Sequence, residues 1–278
     1  MSNQKVWFVT GASKGLGLSL VKQLLTKGYN VAATSRNIAD LENAVGKSES
    51  FLPLAVNLTD EKSVNDAISQ AISLFGKIDV VVNNAGYGIV GALEELSDAE
   101  TRANFDINVF GSLNVIRAVM PHLREQQSGH IFNISSIGGF SGNYPGFGIY
   151  CATKFAVQGF TESLSAEARS LGIKATIVSP GYFRTNFLAP DALITPKNEI
   201  EAYKTVREVQ DTHLNQIGGN QPGDPEKGVA AIITVAEANE APLHLFLGQD
   251  AYDVAYQKMS DVKNDLETWK EVTVNTGY

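Results

Sequence analysis

At 278 residues and 44% hydrophobic content, the chain has enough apolar side chain to bury a large core of the α/β kind. A net charge of −8 with no run of lysine or arginine makes nucleic acid and anionic membrane surfaces poor partners. No apolar stretch approaches the roughly 18 residues of a spanning helix, and the polar start Met1-Ser-Asn-Gln-Lys5 does not read as a signal peptide. Cys151 is the single cysteine, which excludes an internal disulfide framework and fits a reducing, cytoplasmic setting.

In chain order, short apolar runs alternate with segments of helical periodicity. Strands are predicted at 5–10, 30–35, 52–57, 78–83, 130–135, 173–179 and 243–247, and helices at 15–27, 61–75, 98–120, 149–171 and 225–237. Continuous Val/Ile/Ala/Phe strands separated by helices predict a doubly wound, mostly parallel sheet of seven strands with helices on both faces, formed as one domain over 1–278. Ser97-Asp-Ala-Glu100 reads as a capping box, and Asp224-Pro225 as an N-cap followed by proline at the first helical position. Residues 187–223 lack periodicity and include Gly218-Gly-Asn-Gln-Pro-Gly223, a long irregular stretch of the kind used as a functional lid. After the last strand, about 248–278 reads as an extra helix and tail. His122, His130, His213 and His244 are scattered without ligand spacing, so no metal site is expected.

Two segments carry chemistry. In Val6-Trp-Phe-Val-Thr-Gly-Ala-Ser-Lys-Gly-Leu-Gly17, a buried-strand pattern runs into Gly11, Gly15 and Gly17 and then into Leu16, Leu18, Leu20, Val21, Leu24 and Leu25 at helical spacing. Strand, glycine loop and helix form the context of a phosphate cradle, because a helix N-terminus offers free N–H groups and the positive end of its dipole. In Ile149-Tyr-Cys-Ala-Thr-Lys-Phe155, Tyr150 and Lys154 stand one helical turn apart on one face. An ammonium beside a phenol favours the phenolate and brings proton exchange toward neutral pH. Cys151 points to another face of the helix and reads as packing.

With these segments in hand, the chain resembles the short-chain dehydrogenase/reductase family, in its compact branch. Further motifs follow in order: Asn83-Asn-Ala-Gly86 after a strand, Asn108 within Phe105–Gly111, Asn133-Ile-Ser-Ser-Ile-Gly138 ending a strand, and Ser179-Pro-Gly-Tyr-Phe-Arg-Thr185. The resemblance covers residues 5 to 186 continuously and the rest more loosely. It implies a Rossmann-type fold, a nicotinamide dinucleotide and hydride transfer to or from a carbonyl or secondary alcohol. It also implies roles. Tyr150 exchanges the proton, Lys154 lowers the tyrosine's pKa and binds the nicotinamide ribose, Ser136 stabilises the substrate oxygen, and Asn108 holds a water next to Lys154. Ser136 lies 14 residues before Tyr150 where the family usually has 13, so Ser135 is an alternative and Ser141 a more distant one. Asn57 stands where the family usually has aspartate.

The cofactor residues implied are Gly11, Ser13, Lys14, Gly15, Leu16, Gly17, Ser35, Arg36, Asn57, Leu58, Asn84, Ala85, Gly86, Tyr150, Lys154, Pro180, Gly181, Phe183 and Thr185. At the end of the second strand Ser35 occupies the place of the acid that binds a ribose 2′-OH, and Arg36 follows it. Together with Lys14 this favours NADP. Tyr87, Ile89, Phe140, Tyr144, Phe147, Tyr182, Phe183 and Phe187 are expected to line a pocket for a hydrophobic ketone, aldehyde or alcohol, with Arg184 as the one cation available to an anionic substrate. A homodimer or homotetramer through the helices at 98–120 and 149–171 is expected, with Phe155, Ala156, Phe160 and Ala166 as possible contacts. The chain could also be a dinucleotide-binding sensor or scaffold that has lost catalysis.

Overall fold

The computed structural model describes residues 4–189 and 192–278. Its centre is a parallel sheet of β1 (Val6–Val9), β2 (Asn30–Ser35), β3 (Phe51–Ala55), β4 (Val80–Asn83), β5 (Gly129–Ile134), β6 (Ile173–Pro180) and β7 (His244–Leu247), in the order β3-β2-β1-β4-β5-β6-β7. The register pairs Trp7 with both Val31 and Val80. Side chains alternate across each strand. Val6 and Phe8 therefore enter one core with Ile68 and Ala71 of α3 (Glu61–Phe75) and Val115 and Val119 of α5 (Gly111–Gln126). Trp7 and Val9 enter the other, with Leu20 and Leu24 of α1 (Gly15–Thr26) and Ile232 and Ile233 of α8 (Pro225–Glu237). Burial on both faces explains why the strands read as unbroken apolar runs.

The chain leaves β1 toward β2 on one side and reaches β4 on the other. This reversal opens a crevice beyond the carboxyl ends of β1 and β4, where ligands bind in such sheets. Helices add to the expected set. α2 (Ile38–Val45) starts at Asn37, whose side chain accepts from the Ala39 N–H at 3.1 Å, and buries only Leu41. The predicted helix at 98–120 is α4 (Asp98–Phe105), a π-helical turn at Asp106–Phe110 and α5, which continues to Gln126 past Pro121. Its capping box is present. α6 (Gly148–Ala168) carries Tyr150 and Lys154, and its final turn tightens to a 3₁₀ turn at Arg169–Leu171.

The stretch at 187–223, apart from two residues outside the described set, is not wholly irregular: it contains α7 (Lys204–Asp211), prolonged by a π-helical turn at Thr212–Ile217. The tail forms α9 (Gln249–Thr268) and α10 (Lys270–Val274). Ala251 and Ala255 of α9 are buried, while Met259, Leu266 and Trp269 remain exposed. Among the described residues, no helix is long and apolar enough to cross a membrane.

Candidate active site

A cavity of about 660 Å³ fills the crevice. At one end the turn from β1 into α1 is pinned to the turn after β4. Thr10 Oγ1 accepts from the N–H groups of Asn84 and Ala85 at 3.0 and 3.1 Å, and the Asn84 amide donates to the carbonyls of Thr10 and Gly11, both at 3.0 Å. Gly11 has φ +64°, and a Cβ there would stand 2.6 Å from the Ala85 Cα, so only glycine lets the two turns touch. Lys14 precedes α1 without a side-chain cap, leaving the first N–H groups of the helix facing this end of the cavity.

Every residue assigned to the cofactor from sequence lines the cavity except Gly17. A Cβ on Gly17 would come within 2.5 Å of the Asn84 amide, so its smallness serves the packing of the loop behind the cavity wall. Asn57 lines the wall, but its oxygen already accepts from both the N–H and the hydroxyl of Thr59, at 3.2 and 2.9 Å. Among the described residues, the charged members of the lining are Lys14, Arg36 and Lys154, with no aspartate or glutamate. Lys14 and Arg36 have no ion pair among the described residues. The uncapped N–H groups and unpaired cations at this end fit a dinucleotide carrying several phosphates.

Midway along the cavity, the first turns of α6 present Tyr150 and Lys154 together. The Lys154 ammonium donates to the Ile134 carbonyl at 2.9 Å and lies 5.8 Å from the centre of the Tyr150 ring. Burial pushes the Lys154 pKa down to about 8. Burial also raises the Tyr150 phenol above its ordinary range, and the hydrogen bond with Ser136 pulls only partly the other way. This reverses the expected electrostatics: desolvation, not the neighbouring ammonium, dominates the tyrosine, which is held as the neutral phenol.

The serines separate cleanly. Ser136 bonds Tyr150, lines the cavity and accepts from the Gly138 N–H at 3.1 Å. Ser135 also borders the cavity, but its hydroxyl turns back, donating to the Lys154 carbonyl at 3.0 Å and so fixing β5 to α6. Ser141 is buried outside the lining. Asn108 sits in the π-helical turn, its amide clamped to the Tyr87 backbone by a 3.0 Å bond from the N–H and a 3.1 Å bond to the carbonyl. Its Nδ2 also donates to Thr153 Oγ1 at 3.1 Å, linking the turn to α6.

Of the expected substrate residues, Tyr87, Tyr144, Phe147, Tyr182, Phe183 and Phe187 line the cavity. Ile89 does not; it is fully buried and its backbone pairs with Ile194. Phe140 does not either, and packs with Phe246 behind the wall. Arg184 is outside the lining and donates to the Gln221 carbonyl at 3.2 Å, so it offers no charge to a substrate there.

Sequence reasoning missed His213 and Gln221, both lining the cavity. A histidine and a glutamine in an aperiodic stretch carry no positional signal, and only the fold of α7 brings them in. Gln221 is buried, donates weakly to the Thr185 carbonyl at 3.4 Å, and its Oε1 has no partner among the described residues. A buried latch holds α7 in place. Glu95, whose side chain is fully buried, accepts from the N–H groups of Ala92 and Ile200 at 2.8 and 2.7 Å and from the Arg207 guanidinium. Burial pushes this carboxyl up, but the two amides and Arg207 outweigh it and hold it below its ordinary range.

A sequence model of the short chain dehydrogenases matches residues 5–192. Oxidoreductase BOA17 of Botryotinia fuckeliana is 36% identical over 272 residues, 97% of this chain and 98% of that protein. A short-chain dehydrogenase from Streptomyces avermitilis superimposes with a TM-score of 0.91 at 35% identity, covering all of both chains. Two solved structures with cofactor are similar at a TM-score of 0.72. ElxO with NADP bound is 26% identical over 88% of this chain and 97% of that one. A 3-ketoacyl-(acyl-carrier-protein) reductase from Brucella melitensis complexed with NADH is 25% identical over 87% and 96%.

Proposed function

The chain belongs to the short-chain dehydrogenase/reductase family, and on that premise we propose that it is an NADP(H)-dependent oxidoreductase acting on the carbonyl or secondary alcohol of a hydrophobic small molecule. The observation that carries this reading is one cavity joining an uncapped helix N-terminus and two cations without an ion pair among the described residues to the Tyr150–Lys154–Ser136 group and an aromatic wall. Lys14 and Arg36 would hold a 2′-phosphate, with Ser35 beside them in place of a competing acid. Gly11, Ser13, Gly15 and Leu16 would take the pyrophosphate. Thr185 and the Gln221 Oε1, an acceptor without a partner among the described residues, would take the nicotinamide amide. The bound nicotinamide supplies or accepts the hydride.

The remaining chemistry belongs to the protein. Tyr150, neutral at physiological pH, is in the form that donates a proton to a carbonyl oxygen during reduction. Ser136 donates to the same oxygen and stabilises the charge growing there. Lys154 has spent one of its three N–H donors on Ile134, leaving two for the ribose and for a water beside Asn108. The aromatic lining, without a cation at the substrate end among the described residues, suits an uncharged substrate.

Retention of serine, tyrosine and lysine around one cavity weighs against a sensor or scaffold that has lost catalysis. Exposed Phe155 on α6 and Phe110 beside α5 suit a homodimer or homotetramer, whereas Phe160 packs into the core. A single buried cysteine suits the cytoplasm. The test is a panel of hydrophobic ketones and alcohols with NADPH or NADP, followed at the nicotinamide absorbance. Turnover of none of them, with cofactor bound, returns the protein to the sensor reading.

A further inference from the structure

The substrate end of the cavity contains a hydrogen-bonded pair that the chemistry above does not use. His213 Nδ1 is 2.7 Å from the Val209 carbonyl, and Nε2 is 2.9 Å from the Tyr182 hydroxyl. Both side chains line the cavity, and His213 is 8% exposed. A carbonyl can only accept, so Nδ1 carries a hydrogen. Burial lowers the His213 pKa, the Val209 carbonyl opposing it, so the ring is neutral and Nε2 holds a lone pair. The Tyr182 hydroxyl therefore donates to Nε2. Its own hydrogen is committed, and what the phenol oxygen has left is acceptor capacity alone.

The pair stands close to the reacting centre. Phe147 lies between them, its ring centre 6.3 Å from that of Tyr150 and 4.6 Å from that of His213. Burial pushes the Tyr182 pKa up to about 12, so it stays a neutral phenol. A half-buried acceptor beside the rings of Phe147 and Phe187 has little use for a plain hydrocarbon, because covering it with one strips its water and returns nothing.

We propose that Tyr182, oriented by His213, accepts a hydrogen bond from a second polar group of the substrate, which is then a hydrophobic ketone or aldehyde bearing a hydroxyl or another neutral donor away from the reacting carbonyl. This rests on the carbonyl-reducing reading of the site. In it, Tyr182 is a specificity-determining residue and His213 its positioning residue.

The test uses the full chain with NADPH and a series of octan-2-ones. One carries no further group, others carry a hydroxyl at successive carbons, and each hydroxyl compound has a methyl ether counterpart that can only accept. Wild type should favour the hydroxyl compound over its ether at one or two neighbouring positions, by about 3- to 10-fold in kcat/KM for one neutral hydrogen bond. Tyr182→Phe should bring that ratio close to one. His213→Leu frees the phenol hydrogen to turn toward the substrate, so the ratio should fall below the wild-type value or invert. A wild type that turns over the plain ketone with no hydroxyl preference at any position overturns the proposal, as does a preference unchanged in Tyr182→Phe. A wild type that reduces none of the ketones contradicts the carbonyl-reducing reading instead.

Discussion

Replacing Lys154 by methionine should uncouple stability from pH in a defined window. The ammonium is almost fully buried, and its pKa falls from 10.5 unfolded to about 8 folded. Below pH 8 both states carry the proton, and the fold bears the whole penalty of the buried charge. Between about 8 and 10.5 the folded state has released its proton while the unfolded state keeps it, so stability rises with pH. Above 10.5 both are neutral and the dependence ends. At about 1.36 kcal/mol per pH unit, the interval amounts to about 3 kcal/mol. Lys154→Met removes this term but leaves the Ile134 carbonyl without its 2.9 Å bond, at a cost of about 1–3 kcal/mol. The variant should therefore be close to wild-type stability near pH 7. The assay is urea denaturation of both proteins without cofactor from pH 7 to 10.5, followed by circular dichroism. Wild type should gain about 3 kcal/mol on the variant across the window. A difference that is flat, or that falls with pH, would refute the argument that burial governs this lysine.

Three further outcomes are expected. Arg36→Ala should weaken NADPH binding by about 1.5–3 kcal/mol, the range for hydrogen bonds to charged groups, and barely change NADH binding; titration of both cofactors checks it, and an equal loss for both counts against the 2′-phosphate site. Tyr150→Phe should remove turnover while NADPH still binds, since the phenol is the assigned proton donor; near-normal rates in that variant would take Tyr150 out of the mechanism. Arg207→Met strands the buried Glu95 carboxylate, a loss of about 3–5 kcal/mol for a broken buried pair, and should loosen α7 before the sheet opens. Hydrogen exchange should then rise first at 200–217, and a uniform rise over the whole sheet would contradict the latch.

Much of this was legible in the sequence, for identifiable reasons. Strands buried on both faces write themselves as apolar runs, and all seven lie within two residues of their expected ends. Helices with several buried residues, such as α3 and α8, were read because periodicity needs repeated contacts. α2 and α7 each bury one side chain, Leu41 and Val206, and left no period to find. The π-helical turn holding Asn108 adds a residue without altering composition, so the helix around it read as continuous. The choice between Ser135 and Ser136 needed the bond by which the Ser135 hydroxyl donates to the Lys154 carbonyl, which no sequence pattern shows. Depth of burial also escaped the sequence, and it reversed the expected balance at Tyr150 and removed Ile89 and Phe140 from the pocket.

The central claim, that this cavity transfers hydride from NADPH to a carbonyl with Tyr150 supplying the proton, is tested most directly by isotope transfer. NADPH deuterated at its transferable position is incubated with the wild-type protein and a hydrophobic ketone that it binds, and the product is examined by mass spectrometry. Deuterium should appear on the carbinol carbon of the alcohol in wild type and be absent with Tyr150→Phe. Binding of both ligands with no deuterated alcohol, or equal transfer by the Tyr150→Phe protein, would contradict the account.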